Sequence, residues 1–311
     1  MLLFLMLCYI IGVEGYEMKK IIVWTIAIIV LISCTILCFV YRNDLGYFAT
    51  SMRRIALNKN TTTQSIITYN VRCVTDADDG ELAWKRRASL ICDLIQEYTP
   101  SIICMQENKE KQYEFFKKYL KGYNTAATYR DNSSLKECIP IFFRDDMYEL
   151  IETQTFWLSD TPDTMSNTWD AAYFRICTFV ILKNKTTNKQ FIIGNTHLDY
   201  ESQETQAKSI QLICDRLIPY NLPTIIMGDF NCTPDSKAID IAKQNFVDVG
   251  QGFEDETKGT VNYFKEEYQN IKIDFMFQLP NSFSINKYHV IDKKYKGHYA
   301  SDHFPIYAEI D

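Results

Sequence analysis

Ile225-Ile226-Met227-Gly228-Asp229-Phe230-Asn231 is the stretch that decides the fold. A short apolar run bounded by Pro223 on one side and by an acid and an amide on the other reads as a buried strand that opens to solvent at its end. Just before it, residues 201–218 repeat Ala207, Ile210, Cys214 and Leu217 on one helical face. Helix followed by buried strand is an α/β pattern, and it recurs toward both ends of the chain.

Upstream, Ser65–Val71 and Ser101–Gln106 read as strands, with helices at 81–98 and about 109–120 beside them. Extended segments follow near 123–129, 139–145, 147–158 and 173–183, and Phe191–His197 is another apolar strand. Downstream come a short helix at 235–244 and strands at about 271–278, 284–291 and 304–310. Several consecutive strands lack helices between them, so the expected architecture is two mixed sheets packed face to face with helices outside.

The ends of these strands repeat one chemistry: Asn70; Glu107; His197 with Asp199; Asp229 with Asn231; and Asp274 with Asp302 and His303. A single such residue is a turn former, but five clusters of one type are hard to assign to turns. Carboxylates and amides suit a hard divalent cation such as Mg²⁺, which takes oxygen ligands, keeps several waters and needs only one or two protein carboxylates. Glu107 is the best single ligand candidate. No thiolate joins the set, so a structural zinc site is disfavoured. Phosphoester hydrolysis needs charge stabilised on the phosphoryl oxygens and an aligned nucleophile. An acid beside a histidine favours its protonated form, so Asp274 or Asp302 could orient His303, while Asp229 activates water positioned by Asn231.

At this point the chain resembles the endonuclease/exonuclease/phosphatase superfamily, over about residues 65–311. The motifs stand in family order: Thr68-Tyr69-Asn70-Val71-Arg72, Met105-Gln106-Glu107, Gly194-Asn195-Thr196-His197-Leu198-Asp199, Gly228-Asp229-Phe230-Asn231, Lys272-Ile273-Asp274-Phe275-Met276-Phe277 and Ser301-Asp302-His303-Phe304-Pro305. The resemblance implies a four-layer α/β sandwich and Mg²⁺-dependent attack of water on phosphorus, with Mn²⁺ as a substitute metal. It implies Glu107 as metal ligand with Asn70 beside it and Asp302 assisting. It also implies His303 paired with Asp274, Asp229 with Asn231 as the water-activating pair, and His197 as a second phosphate-contacting histidine. Of the two candidate bases, Asp229 and His303, Asp229 is preferred. Closer likeness is to an uncharacterised bacterial branch, through Trp84, Arg87, Thr155-Phe156-Trp157-Leu158-Ser159 and Trp169-Asp170-Ala171-Ala172-Tyr173-Phe174-Arg175. Arg175, Asn195 and Asp199 are expected at the substrate, with Asp199 also fixing the His197 loop.

The N-terminus is of another kind. Ile21 to Val40 carries no charged residue and is long enough to span a bilayer as a helix. Residues 1–17 read as an upstream extension from start-codon choice, 18–41 as a transmembrane anchor or signal, 42–64 as a juxtamembrane linker and 65–311 as one catalytic domain. Leu31-Ile32-Ser33-Cys34 resembles a lipoprotein cleavage box, but the apolar run continues past Cys34, which favours an uncleaved single-pass anchor. With translation from Met18, the large domain is expected outside the cytoplasm, as a monomer.

Charge and cysteines narrow the classes. The chain has 33 basic and 39 acidic residues, and the six charges up to Asp44 cancel, so the folded domain carries the whole −6. That balance counts against a nonspecific duplex-nucleic-acid binder, which ordinarily shows a basic surplus. Seven cysteines beyond the N-terminus, without CxxC and mostly in apolar patterns, read as buried thiols rather than a disulfide framework. The expectation is a phosphoesterase acting on nucleic acid, phospholipid or a small phosphoester. Phosphodiester hydrolysis leads, sphingomyelinase-like lipid hydrolysis and small-molecule phosphatase action are the alternatives, and a noncatalytic module on the same fold is the rival.

Overall fold

The computed structural model describes residues 16–40, 42–134 and 136–311, so most of the segment read as an upstream extension lies outside the described residues. The chain divides into two units, Met1–Ala49 and Thr50–Asp311. The first holds helix α1 (Tyr16–Val40) and most of α2 (Arg42–Ser51). From Lys20 to Phe39, α1 has a mean hydropathy of 2.8 and none of it is buried.

In the second unit the chain runs β1 (Gln64–Asn70), α3 (Trp84–Tyr98), β2 (Ile102–Gln106), β3 (Asn108–Lys109), α4 (Glu110–Tyr119), β4 (Tyr123–Ala126), β5 (Glu137–Cys138), β6 (Ile141–Arg144) and β7 (Tyr148–Trp157). It continues through β8 (Ile176–Asn184), β9 (Gln190–His197), α5 (Gln203–Leu217), β10 (Thr224–Asp229), α6 (Lys237–Asn245), β11 (Val247–Asp248), β12 (Asp274–Gln278), β13 (Ile285–Val290) and β14 (Ile306–Ile310). Two six-stranded sheets result, ordered β13-β14-β1-β2-β6-β4 and β11-β12-β10-β9-β8-β7, with β3 and β5 forming a small ribbon. This is the mixed α/β fold with two packed sheets that the strand and helix pattern predicts.

Strand alternation sorts the side chains into layers. Ile66, Ile102, Cys104, Ile141 and Phe143 of the first sheet meet Val180, Ile193, Ile225, Met227 and Met276 of the second in one core between the sheets. The opposite parity of the second sheet, with Ile192, Ile226, Phe275 and Phe277, packs against Ile210, Cys214 and Leu217 of α5 and Ile239 and Ala242 of α6. Trp84 of α3 meets Phe115 and Phe116 of α4 edge-on. The same parity that sends Ile225 and Met227 inward continues to Asp229, so the strand delivers its acid to the rim between the sheets.

The segment 42–64, read as a linker, takes up local structure. Residues 42–51 are helical, and the segment after them is strapped to the domain. Ile55 N–H donates to Tyr119 O (3.0 Å), Gln96 exchanges hydrogen bonds with both backbone groups of Ala56, and Arg144 donates to Asn58 O (3.0 Å). A linker has no such partners; here polar side chains of the folded domain satisfy its backbone. Every cysteine among the described residues is free, and Cys92, Cys104, Cys138, Cys177, Cys214 and Cys232 are buried.

Candidate active site

Register places the acidic rim. β10 pairs with β9 in parallel, setting Asp229 beside His197, and with β12 antiparallel, setting Asp229 beside Asp274. These three side chains form a row at one end of the second sheet. From the facing sheet, Asn70 ends β1 and Glu107 follows β2. Asn70 Nδ2 bridges the two sheets, donating to Glu107 Oε1 (3.0 Å) and to Asp229 Oδ2 (2.9 Å). Ser301 Oγ donates to Asn70 O (2.7 Å), which fixes the loop that carries His303. Glu107 and Asn231 both hold positive φ, 62° and 51°. Such a conformation costs a non-glycine residue energy and turns its side chain out of the strand pattern.

The row is electrostatically graded. His303 Nδ1 lies 2.8 Å from Asp274 Oδ2 and its Nε2 3.8 Å from Asp229 Oδ2. Burial alone would discharge the His303 ring, but Asp274 and Asp229 together reverse this and hold its pKa well above that of ordinary imidazole. His197 goes the other way: burial, then Arg175 and Arg130, depress it, so it is neutral. Its Nε2 lies 3.5 Å from Asp229 Oδ2. Burial and the adjacent Asp274 push Asp229 up to about 7. For Glu107, burial is outweighed by hydrogen bonds from the Cys73 N–H (2.8 Å) and Asn70, so it sits below the usual carboxylate range.

Glu107 opens onto a cleft of about 1190 Å³ whose wall includes His197, Asn231, Arg130, Arg175 and Tyr173. Glu107 Oε1 accepts from Asn70 and Oε2 from the Cys73 N–H, and a charged carboxylate at the cleft wall offers the oxygen donors that suit a hard cation. Cys73 beside it does not change that preference, because burial pushes its thiol up to about 12 and leaves it uncharged. Asp229, Asp274 and His303 also offer ligand atoms within 4.8 Å of one another. That group, however, is already linked by the His303–Asp274 hydrogen bond, with Asp229 held by Asn70, which fits a proton-handling chain better than a chelate. Asn231 N–H donates to Asp229 Oδ1 (2.9 Å), and its side-chain amide donates to Leu198 O (3.0 Å).

Three of the expected site residues are engaged in contacts within the fold. Asn195 is fully buried between the sheets: its Nδ2 donates to Met105 O (2.9 Å) and its Oδ1 accepts from Gln106 (2.7 Å), so it staples strands rather than lining the cleft. Asp199 is also spent on structure, accepting from the backbone N–H groups of Ala172, Glu201 and Ser202. Asp302 pairs with Arg72 (2.8 Å), whose guanidinium also forks onto Asp78. Arg175 does line the cleft, almost wholly buried. Arg130, Glu137 and the Arg72–Asp78 fork escape sequence reasoning: Arg130 and Glu137 lie in a polar connection without periodicity, where a lone charge reads as solvated.

Residues 67–277 match the sequence profile of the Endonuclease/Exonuclease/phosphatase family. An endonuclease/exonuclease/phosphatase family protein from Bacteroides thetaiotaomicron is 29% identical, with a TM-score of 0.74 over 80% of this chain and 97% of that one. A mannosyl-6-phosphatase from the same species is 28% identical, with a TM-score of 0.74 over 80% of this chain and 99% of that one. The Ccr4 3'-5'-exoribonuclease subunit of the CCR4-Not complex from Mycosarcoma maydis is 23% identical over 74% of this chain, which spans 46% of that protein. The chain belongs to the Endonuclease/Exonuclease/phosphatase family of phosphoester hydrolases.

Proposed function

We propose that this chain is a Mg²⁺-dependent phosphoesterase, held to a membrane by α1, that hydrolyses its substrate by attack of water on phosphorus. The observation that carries the reading is the meeting, at one rim, of Glu107 and Asn70 from one sheet with His197, Asp229 and Asp274 from the other, joined by His303 from the loop before β14. Glu107 would hold the cation with Asn70 beside it; the bound cation supplies positive charge to the phosphoryl oxygens and leaving group.

The protein's own groups divide the remaining work. Asp229, once ionised, takes the proton of the attacking water, and its raised pKa makes it a stronger base than an ordinary carboxylate. Asn231 holds the loop beside it. His303, charged by Asp274, faces the negative charge that grows on phosphorus. Neutral His197 accepts a proton or donates a hydrogen bond as the anion arrives. A phosphoester is the class this set recognises; the likeness to a mannosyl-6-phosphatase and to an exoribonuclease is compatible with either small or polymeric substrates.

Glu107→Gln tests the ligand assignment. Removing the carboxylate's charge should raise the Mg²⁺ concentration for half-maximal activity by about 10-fold or more. An unchanged Mg²⁺ requirement would reject Glu107 as ligand.

A further inference from the structure

Arg175 ends the loop before β8 with only 4% of its surface exposed, and its Nε and Nη1 have no hydrogen-bond partner in the fold. A buried guanidinium with idle N–H groups is costly, since each has given up water for nothing. Arg130 repeats the pattern in part from another loop: Nη1 donates to Glu137 Oε1 (2.6 Å), while Nε is buried without a hydrogen bond, 3.6 Å from Asp131 Oδ2. Both guanidiniums lie on the ring of Tyr173, at 4.9 Å for Arg130 and 5.6 Å for Arg175. Both line the same cleft as Glu107 and His197, and a narrower crevice shared by Arg130, Glu137, Arg175 and His197 joins them.

Two guanidiniums converge on one aromatic ring, and two carboxylates, Glu137 and Asp131, pair with Arg130. Among the described residues no carboxylate forms an ion pair with Arg175, so its buried charge is the one the wall leaves without a salt bridge. Glu137 acts as a positioning residue: it holds Arg130 through its side chain and, through its carbonyl, the Arg130 N–H (2.8 Å). The Trp157 indole fixes the same loop by donating to Arg130 O (2.8 Å). Arg175 borders His197, which stands beside Asp229 in the strand register, so its idle N–H groups lie near the reacting centre rather than a distant part of the substrate.

We propose that Arg130 and Arg175, braced on Tyr173, form a clamp for the terminal oxygens of a phosphomonoester, which makes this family member a monoesterase rather than the phosphodiesterase the sequence suggests. A monoester dianion offers one more charged oxygen than a diester, and two forks are positioned for it. The proposal rests on the phosphoesterase reading of the same site.

The test uses the full chain in detergent micelles with Mg²⁺, on p-nitrophenyl phosphate and methyl p-nitrophenyl phosphate, which share a leaving group and differ by one charge. In Arg130→Gln and in Arg175→Gln, the ratio of kcat/KM for the monoester to that for the methyl ester should fall about 30-fold. Arg130→Lys and Arg175→Lys, which keep the charge and spare the fold, should give intermediate ratios. A ratio unchanged in the folded variants overturns the clamp. Calorimetry with inorganic phosphate and dimethyl phosphate separates the two readings: the wild type should bind phosphate more tightly, and either Gln variant should weaken phosphate about 10-fold or more. Unchanged phosphate affinity overturns the clamp whatever the turnover. Weakened phosphate binding in a protein that hydrolyses neither ester supports the clamp and contradicts the hydrolase reading.

Discussion

Asp229 is the residue on which the chemistry turns, because it is the one acid touched from every side of the rim: by Asn70 across the sheets, and by His197 and His303 along them. Asp229→Asn keeps the shape and removes the base, so kcat should fall by about 10²-fold to 10⁴-fold with little change in unfolding midpoint. Since burial and Asp274 raise Asp229 to about 7, the working carboxylate is present above that pH, and wild-type kcat/KM should decline as pH drops through it. A rate for Asp229→Asn near that of the wild type, measured by steady-state kinetics, would reject its role as base. Glu107, Asp229 and His303 are legible in the sequence because the first two end or follow an apolar strand and the third stands just before one. Asn195 has the same appearance and misleads: the signal gives the strand end but not whether the side chain meets solvent or a facing sheet. Arg130 and Glu137 carry no local pattern at all, since they are brought to the site by a loop and a two-residue ribbon.

At the scale of elements, strand parity explains why one end of the sandwich is reactive. Asn70, His197, Asp229 and Asp274 share the inward parity of the apolar residues before them, and pairing of β9, β10 and β12 aligns the last three. Gly228 is the point where this alignment is most exposed to damage. Its φ is +147°, and a Cβ there would lie 1.9 Å from Thr196 O. Gly228→Ala must push β10 off β9, so the stability loss should be at least about 2 kcal/mol in urea unfolding, with activity lost alongside. A wild-type urea midpoint would contradict that. The long strands and amphipathic helices were readable from periodicity, whereas β3, β5 and β11 have two residues each, too few for alternation to appear. Helix α2 and the strap after it were hidden for a related reason: the strap is held by scattered hydrogen bonds to Gln96, Tyr119 and Arg144 rather than by an apolar stripe.

For the whole molecule, the family fold sets the class of reaction, and α1 bears on where it occurs. From Lys20 to Phe39 α1 is apolar and unburied, with the length of a membrane span or a signal sequence. Deleting residues 1–41 should move the protein from the membrane pellet to the supernatant on fractionation; a full-length chain already found in the supernatant would contradict the anchor. The central claim is hydrolysis of a phosphoester at the rim formed by Glu107, Asn70, His197, Asp229, Asp274 and His303. It is tested most directly by assaying the full chain, with Mg²⁺ and then with EDTA, on phosphomonoesters, phosphodiesters, nucleic acids and phospholipids. The account predicts Mg²⁺-stimulated hydrolysis of at least one class, abolished by EDTA; no metal-dependent hydrolysis of any of them would contradict it.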